Sequence, residues 1–195
     1  MRLEEALSYM ENCIKPLLKH DSIFVLAIDG RCAAGKTTFA KHLAKRLSAA
    51  VIATDDFFLP QSQRENKLLD CPFDKERFMK EVLIPLKEQT NLCYHRFDCH
   101  TQSFVETRHI ELQNGGMVII EGAYVLHPSL HADWDFRLFM DIDKQTQKER
   151  IFLRNGQSNA LPFFEKWIPL EEEYIKRYDI MKHCDSCFCL HEELV

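Results

Sequence analysis

Apolar residues recur along the chain in two distinct patterns. Those from Leu3 to Leu18 follow helical spacing, which predicts a first amphipathic helix over about residues 2–19. Short, continuous apolar runs instead predict strands that are buried on both faces of a sheet. The predicted strands lie in "SIFVLAID", "AVIATDDFF", "GGMVIIEGAY", "FRLFMDID" and "DSCFCL".

Helical patterns separate these runs. The first follows in "KTTFAKHLAKRLSAA". Asp74 suits the N-cap of another helix, and Phe73 and Phe78 have the spacing of a hydrophobic staple. A further helix is predicted from Asp143 to Arg154, ended by an Asn-Gly pair. A long helix is predicted over about residues 163–182.

The alternation of strands and helices predicts an α/β fold with a parallel sheet. Residues 91–112 alternate loosely and predict extended segments or a hairpin. The 195 residues are enough for one domain with a sizeable core, and no repeat or Gly/Ser linker divides them. We therefore expect a single domain over residues 1–195.

Composition and charge narrow the class of protein. Hydrophobic residues make up 46% and charged residues 28%, as in ordinary globular enzymes. The net charge of −5 argues against nucleic acid as a partner. The N-terminus carries acids instead of the apolar core of a signal peptide, and the run "IFVLAI" is too short for a bilayer, so a cytoplasmic location without membrane contact is expected. A homo-oligomer stays open.

The eight cysteines are expected to be reduced thiols, because no secretory signal is evident. Only "HCDSCFCL" is clustered. We interpret it as a strand, with a zinc site as the alternative.

The stretch "IDGRCAAGKTTFA" carries the strongest chemical signal. It matches G-x-x-x-x-G-K-[ST] with Gly30, Gly35, Lys36 and Thr37, between a predicted strand and a predicted helix. Such a loop turns its N–H groups toward an anion, the lysine reaches the β- and γ-phosphates, and the hydroxyl can hold magnesium. The predicted ATP-binding residues are Gly30, Arg31, Cys32, Ala33, Ala34, Gly35, Lys36, Thr37 and Thr38.

The loop alone does not name the reaction. The sequence lacks the guanine-reading Asn-Lys-x-Asp of GTPases and the Leu-Ser-Gly-Gly-Gln of transport ATPases, so a small kinase is favoured. A kinase also needs groups that orient the acceptor hydroxyl. Asp55 and Asp56 lie at the C-terminal end of the second predicted strand, and only one is expected to face the phosphates because successive side chains on a strand point in opposite directions. Solvated loop acids are the alternative.

Three further side chains fit a kinase site. Glu121 ends a buried strand, where a carboxylate reaches magnesium, although Asp is the usual residue there. Arg150 and Arg154 lie four apart on one helix and share a face. We predict that they belong to a lid over about residues 150–165 that closes on phosphates. The alternative is a solvated face paired with Glu149.

Five motifs together resemble the uridine kinase-like family of P-loop kinases, from about Ile23 to Leu190. They are "IDGRCAAGKTT", "TDDFF", Phe73-Asp74 with "EVLIPL", "IIEGAY" and "LFMDIDKQTQKERIFLRN", in that order. The resemblance implies a three-layer P-loop NTPase fold with a five-stranded parallel sheet, helices on both faces and a small lid. It also implies ATP as donor, magnesium as cofactor, and transfer to a primary hydroxyl of a small-molecule acceptor.

By this likeness Asp55 activates the acceptor, and Thr37, Glu121 and Asp55 surround magnesium. The implied catalytic residues are Asp55, Lys36, Arg150 and Arg154. The acceptor would contact Asp55, Phe58, Asp70, Arg96 and Phe97, with Asp70 in "DCP" holding ribose hydroxyls.

The sequence also departs from the family. Uridine–cytidine kinases have Tyr where Phe58 stands, a longer stretch before Phe73, and an aromatic and a histidine in a base-reading hairpin. Here that region is "YHRFDCHTQSF", where Tyr94 and His100 are further candidates. Uridine or a related nucleoside is the expected acceptor. A kinase of another alcohol, such as pantothenate or a sugar phosphate, and a non-catalytic nucleotide-binding regulator are the alternatives.

Overall fold

Five parallel strands form the central sheet. A computed structural model describes residues 1–60, 72–99 and 101–191 of the chain. The strands of this sheet are β1 Phe24–Gly30, β2 Ala50–Ala53, β5 Met117–Glu121, β6 Phe136–Asp141 and β7 Ser186–Cys189. They run in the order β2, β5, β1, β6, β7, and the predicted five-stranded parallel sheet is confirmed. The predicted hairpin is a separate antiparallel pair, β3 Leu92–Asp98 and β4 Ser103–Ile110.

Helices connect the strands. They are α1 Leu3–Ile14, α2 Lys36–Leu47, α3 Lys75–Phe78, α4 Ile84–Glu88, α5 Lys144–Pro162 and α6 Ile168–Arg177. Short 3₁₀ turns are Lys15–Leu17, Thr54–Phe57, Pro128–Leu130 and Ile180–His183, and π turns are Met79–Leu83 and Phe163–Trp167. Over the described ranges, no helix combines the length and the apolar character that crossing a bilayer demands.

The side chains of β1 supply both halves of the core. Val25 and Ala27 join a cluster with residues of α3, α4, the hairpin and α6. Leu26 and Ile28 point to the other face and pack with residues of α1 and α2. All seven residues of β1 are buried. The sheet is therefore the middle of three layers, as a strand buried along its whole length predicts.

The helix that begins after Phe73 forms as its sequence predicts. Asp74 is the N-cap of α3, and its carboxylate accepts the Arg77 N–H at 3.0 Å. The Phe73 and Phe78 rings pack edge to face with centroids 5.4 Å apart. The staple and the cap together fix where the chain enters this helix.

Element ends differ from the predictions. The first helix stops at Ile14 and continues only as a 3₁₀ turn, and the predicted second strand ends at Ala53. The acids that follow Ala53 therefore lie on the 3₁₀ turn Thr54–Phe57 and not on a strand. A 3₁₀ turn also separates neighbouring side chains in direction, because it advances about 120° per residue.

The helix predicted to end at the Asn-Gly pair after Arg154 is interrupted there, because Gly156, with φ +72°, is not helical. A second helical segment that was not predicted separately follows this kink, and α5 continues to Pro162. The predicted long helix is instead a π turn followed by α6, which ends where Asp179 adopts φ +48°. The segment 150–165 is thus the second half of α5 and the start of the π turn, and its role as a lid stays a prediction.

We expect Leu26→Ala to lower the free energy of unfolding by about 2–5 kcal/mol, because the fully buried side chain leaves a cavity inside the sheet. Urea denaturation measures the change. Leu153→Ala is the matched control, since Leu153 is 85% exposed, and its effect should stay within about 0.5 kcal/mol. Equal losses from both variants would contradict this description of the core.

Candidate phosphate-binding and acceptor site

Two glycines shape the loop between β1 and α2. Gly30 has φ +146°, and a Cβ added there would lie 2.1 Å from the Met140 carbonyl oxygen of β6. Gly35 has φ +94° and is the N-cap of α2. A side chain would clash at the first position, and the backbone at both is one that L-residues rarely adopt. This explains why a chain with six glycines places two of them here.

The first half of the loop has its N–H groups satisfied by protein atoms. The Asp29 carboxylate accepts the Gly30 N–H at 2.7 Å, and the Met140 carbonyl accepts the Arg31 N–H at 3.1 Å. The Glu171 carboxylate of α6 accepts the Cys32 N–H at 2.9 Å. These bonds fix the loop against the sheet and against α6.

The second half differs. Across the residues that the structure describes, no protein acceptor lies opposite the N–H groups of Ala33, Gly35, Lys36, Thr37 and Thr38. The last three belong to the first turn of α2, where N–H groups lack a partner within the helix. These donors and the positive end of the helix dipole fit a phosphate chain.

Lys36 and Thr37 place a cation and a hydroxyl beside these donors. The Lys36 ammonium donates to the carbonyls of Gly30 at 2.6 Å and Arg31 at 3.0 Å. The Thr37 hydroxyl donates to Glu121 Oε1 at 2.9 Å. Glu121 ends β5 and is 3% exposed. Burial raises the pKa of Glu121 to about 7, the charge of Asp55 raises it further, and Lys36 opposes both.

The 3₁₀ turn directs its two aspartates to different neighbours. Asp55 is exposed, and its charge acts on Glu121 beside the loop. Asp56 is buried and accepts the Tyr94 hydroxyl at 3.1 Å, with Arg108 Nη1 at 4.0 Å. Burial raises the pKa of Asp56, and Arg108 opposes that shift. Asp55 thus joins Thr37 and Glu121 in a set of oxygen donors of the kind that magnesium prefers.

Arg150 and Arg154 both reach the loop. Arg150 Nη1 donates to the Ala33 carbonyl at 3.2 Å. Arg154 Nη2 lies 3.7 Å from Cys32 Sγ, and its guanidinium stacks on the Phe163 ring with 5.4 Å to the centroid. Glu149 instead accepts from Gln145. The two arginines therefore lie where a bound phosphate chain would meet them.

The other predicted acceptor residues are placed less directly. Phe58 pairs with Phe73 in an isolated bridge. Phe97 is buried, edge to face with Phe104 in the hairpin. Arg96 pairs with Glu106 at 3.2 Å. Their roles in acceptor binding stay predictions. Asp70 and His100 lie outside the described residues.

Sequence reasoning missed three residues of this site. Arg108 faces Tyr94 across the hairpin, a pairing that strand register could have revealed. Gln147 donates to the Cys32 carbonyl at 3.0 Å, and Glu171 accepts the N–H of the same residue. Gln147 and Glu171 lie more than a hundred positions from the loop, so no local pattern indicates them. The clustered cysteines, in contrast, lie on and beside β7 as the strand interpretation predicts.

Glu121 generates a pH-dependent prediction. Its pKa is about 7 in the folded chain against 4.5 for a free side chain, so the folded state holds the proton more tightly. Stability from this group is therefore present at low pH and is lost as pH rises from about 4.5 to about 7. Relative to Glu121→Gln, the wild type should lose on the order of 2 kcal/mol between pH 5 and pH 8.

Urea denaturation of both proteins at the two pH values, without nucleotide, measures this difference. Other titrating groups are common to the two proteins and cancel in the comparison. A difference between them that stays constant with pH would contradict the raised pKa.

Comparisons with known proteins agree with this geometry. No protein-family model matches the chain. The chain is 27% identical to uridine-cytidine kinase B of Dictyostelium discoideum over 197 residues, covering 92% of the chain and 79% of that protein. It is 31% identical to human nicotinamide riboside kinase 1 over 146 residues, covering 71% of the chain and 69% of that protein.

A solved structure shows the same fold. A possible uridine kinase from Bacillus stearothermophilus superposes with a TM-score of 0.74 at 22% identity, covering 96% of this chain and 100% of that one. The sequence relatives, the parallel sheet and the phosphate loop agree. The chain belongs to the uridine kinase-like family of P-loop kinases, and it is a phosphotransferase with an alcohol acceptor.

Proposed function

We propose that the chain transfers the γ-phosphoryl group of ATP, with magnesium, to the primary 5′-hydroxyl of a nucleoside. Uridine is the leading candidate for this nucleoside. The observation that carries the proposal is the set of N–H donors without a protein acceptor among the described residues, those of Ala33 and of Gly35 to Thr38, with the Lys36 ammonium beside them. Such a set binds a polyphosphate. The relatives include a uridine-cytidine kinase, which supports a nucleoside as the second substrate.

Each side chain then has a role. Lys36 exchanges its two carbonyl contacts for phosphate oxygens and stabilises charge on the transferring group. Arg150 and Arg154, in the proposed lid over residues 150–165, offset the negative charge of the phosphates during transfer. Thr37, Glu121 and Asp55 would hold magnesium, which neutralises phosphate charge when bound. Asp55 orients the 5′-hydroxyl or accepts its proton, because it is the exposed acid beside the loop.

Nicotinamide riboside is the second candidate acceptor. A relative that is 31% identical is named for this substrate. Its pyridinium ring is cationic, and the buried Asp56 carboxylate on the hairpin side offers a negative group. Arg108, 4.0 Å from that carboxylate, partly balances the charge. The Asp56 carboxylate favours a cationic ring, whereas the Arg108 guanidinium favours a neutral base. The acceptor panel below distinguishes the two.

An acceptor panel tests the proposed function. We expect ADP release with magnesium and ATP to rise at least tenfold with uridine, cytidine or nicotinamide riboside, and less with pantothenate or a sugar phosphate. Coupled ADP assays on the purified chain measure it. If one of the last two is the best acceptor, the phosphate chemistry stands and the nucleoside fails. ATP binding without stimulation by any acceptor would favour the regulator.

Substitution of each aspartate in turn distinguishes the role of Asp55 from that of Asp56. The first variant is Asp55→Asn. We expect it to lower kcat about 10²–10⁴-fold, the usual contribution of a general base, while the Kd for ATP measured without magnesium changes little. Asp56→Asn is the matched control, since its contacts are with Tyr94 and Arg108; it should alter the KM of the acceptor more than kcat. The reverse pattern of kcat losses would assign the proton transfer to Asp56.

A further inference from the structure

A buried carboxylate from the far end of the chain holds the phosphate loop. Glu171, in the first turn of α6, is 5% exposed. Both of its oxygens lie 2.9 Å from the backbone nitrogen of Cys32. Burying a carboxylate is costly unless it finds hydrogen-bond donors or positive charge. The contact of Glu171 with the loop is therefore the main reason for its position.

The charges around Glu171 come from three elements. Lys36 of α2 favours the ionised carboxylate, and Asp29 of β1 and Glu172 of α6 oppose it. Burial is the largest effect and raises the pKa of Glu171 to about 7. The side chain is thus placed between the cation of the loop and a second buried acid.

Cys32 is held on both sides of its backbone. Gln147 of α5 donates to its carbonyl at 3.0 Å while Glu171 accepts its N–H. Next to it, the Arg31 guanidinium forms ion pairs with Glu172 and with Asp141. Along the chain, Gln147 precedes the segment 150–165 and Glu171 follows it. The backbone of Cys32 therefore contacts residues on both sides of this segment.

We propose that Glu171 is a positioning residue for the nucleotide: it fixes the Arg31–Cys32 peptide so that the open donors of Ala33 and of Gly35 to Thr38 keep the orientation that a triphosphate requires. This inference rests on the proposed function. Without Glu171, the Cys32 N–H loses its acceptor, and that peptide can rotate to find another. A rotation there would turn the Arg31 carbonyl of the same peptide, which accepts from the Lys36 ammonium at 3.0 Å and from the Ala34 N–H at 3.1 Å, and would loosen the first half of the loop.

Three substitutions separate hydrogen bonding from charge and from size. Glu171→Gln keeps an acceptor oxygen at the same reach without charge. Glu171→Asp keeps the charge but is one methylene shorter, and Glu171→Ala removes the acceptor. Glu173→Ala is the matched control, because Glu173 is exposed on the same helix and pairs only at 3.8 Å with Arg177.

The readouts are the Kd for ATP with magnesium by calorimetry, and the separate KM values for ATP and for the acceptor. Loss of the hydrogen-bond acceptor of the Cys32 N–H should raise the Kd and KM for ATP about 10–100-fold in Glu171→Ala and about 10-fold in Glu171→Asp. Glu171→Gln should remain within about threefold of wild type. The KM for the phosphoryl acceptor should change less than about twofold in all three Glu171 variants. In Glu173→Ala the Kd for ATP and both KM values should also change less than about twofold.

Weaker ATP binding in Glu171→Gln than in Glu171→Asp would overturn the proposal, because charge and not the hydrogen bond would then matter. Unchanged ATP binding in Glu171→Asp would also overturn it, and so would equal increases in both KM values. Thermal unfolding of each variant verifies that it is folded, and the Gln and Asp pair decides if the Ala variant is not. Since calorimetry needs no turnover, failure of the acceptor panel leaves this test intact.

Discussion

The phosphate loop has to present hydrogen-bond donors that the protein itself does not use. Unpaired backbone N–H groups are unfavourable when buried, so a loop of this kind tends to collapse onto its own carbonyls. In this chain, contacts with the sheet and with α6 prevent the first half of the loop from collapsing. Asp29, the Met140 carbonyl and Glu171 hold the first half of the loop, and the second half is left open at the start of α2. The positions of β6 and α6 follow from this requirement.

Three buried acids lie around the ammonium group of Lys36 at this loop. Asp29, Glu121 and Glu171 are all buried, and burial raises the pKa of each. Lys36 lowers all three pKa values, and its ammonium rests on two loop carbonyls. A polyphosphate would add negative charge to this group, so positive charge has to accompany it. In the proposed function Arg150, Arg154 and a divalent cation supply it, and both arginines contact the loop at Ala33 and Cys32.

Local signals explain what the sequence could predict. The loop motif, the buried strands and the Asp74 cap each depend on neighbouring residues, and the structure confirms the strands and the cap. The 3₁₀ turn after Ala53 was missed, because "TDDFF" continues an apolar run without a glycine or proline. Glu171 could not be found, since it meets Cys32 across 139 positions, and its own helix shows only that it lies near the apolar face.

The donor side and the acceptor side are built differently. Strand ends fix the donor side, since β1 and β5 place Gly30 and Glu121 through adjacent parallel pairing. The acceptor side depends on single side chains: Arg77 donates to the carbonyls of Asp56 and His95 and stacks on Phe57 at 4.5 Å. If the proposed function holds, substitutions in the hairpin should change acceptor binding without disturbing the loop, because the two sides share few contacts. The proposal therefore assigns acceptor choice to the cluster of Asp56, Tyr94 and Arg108.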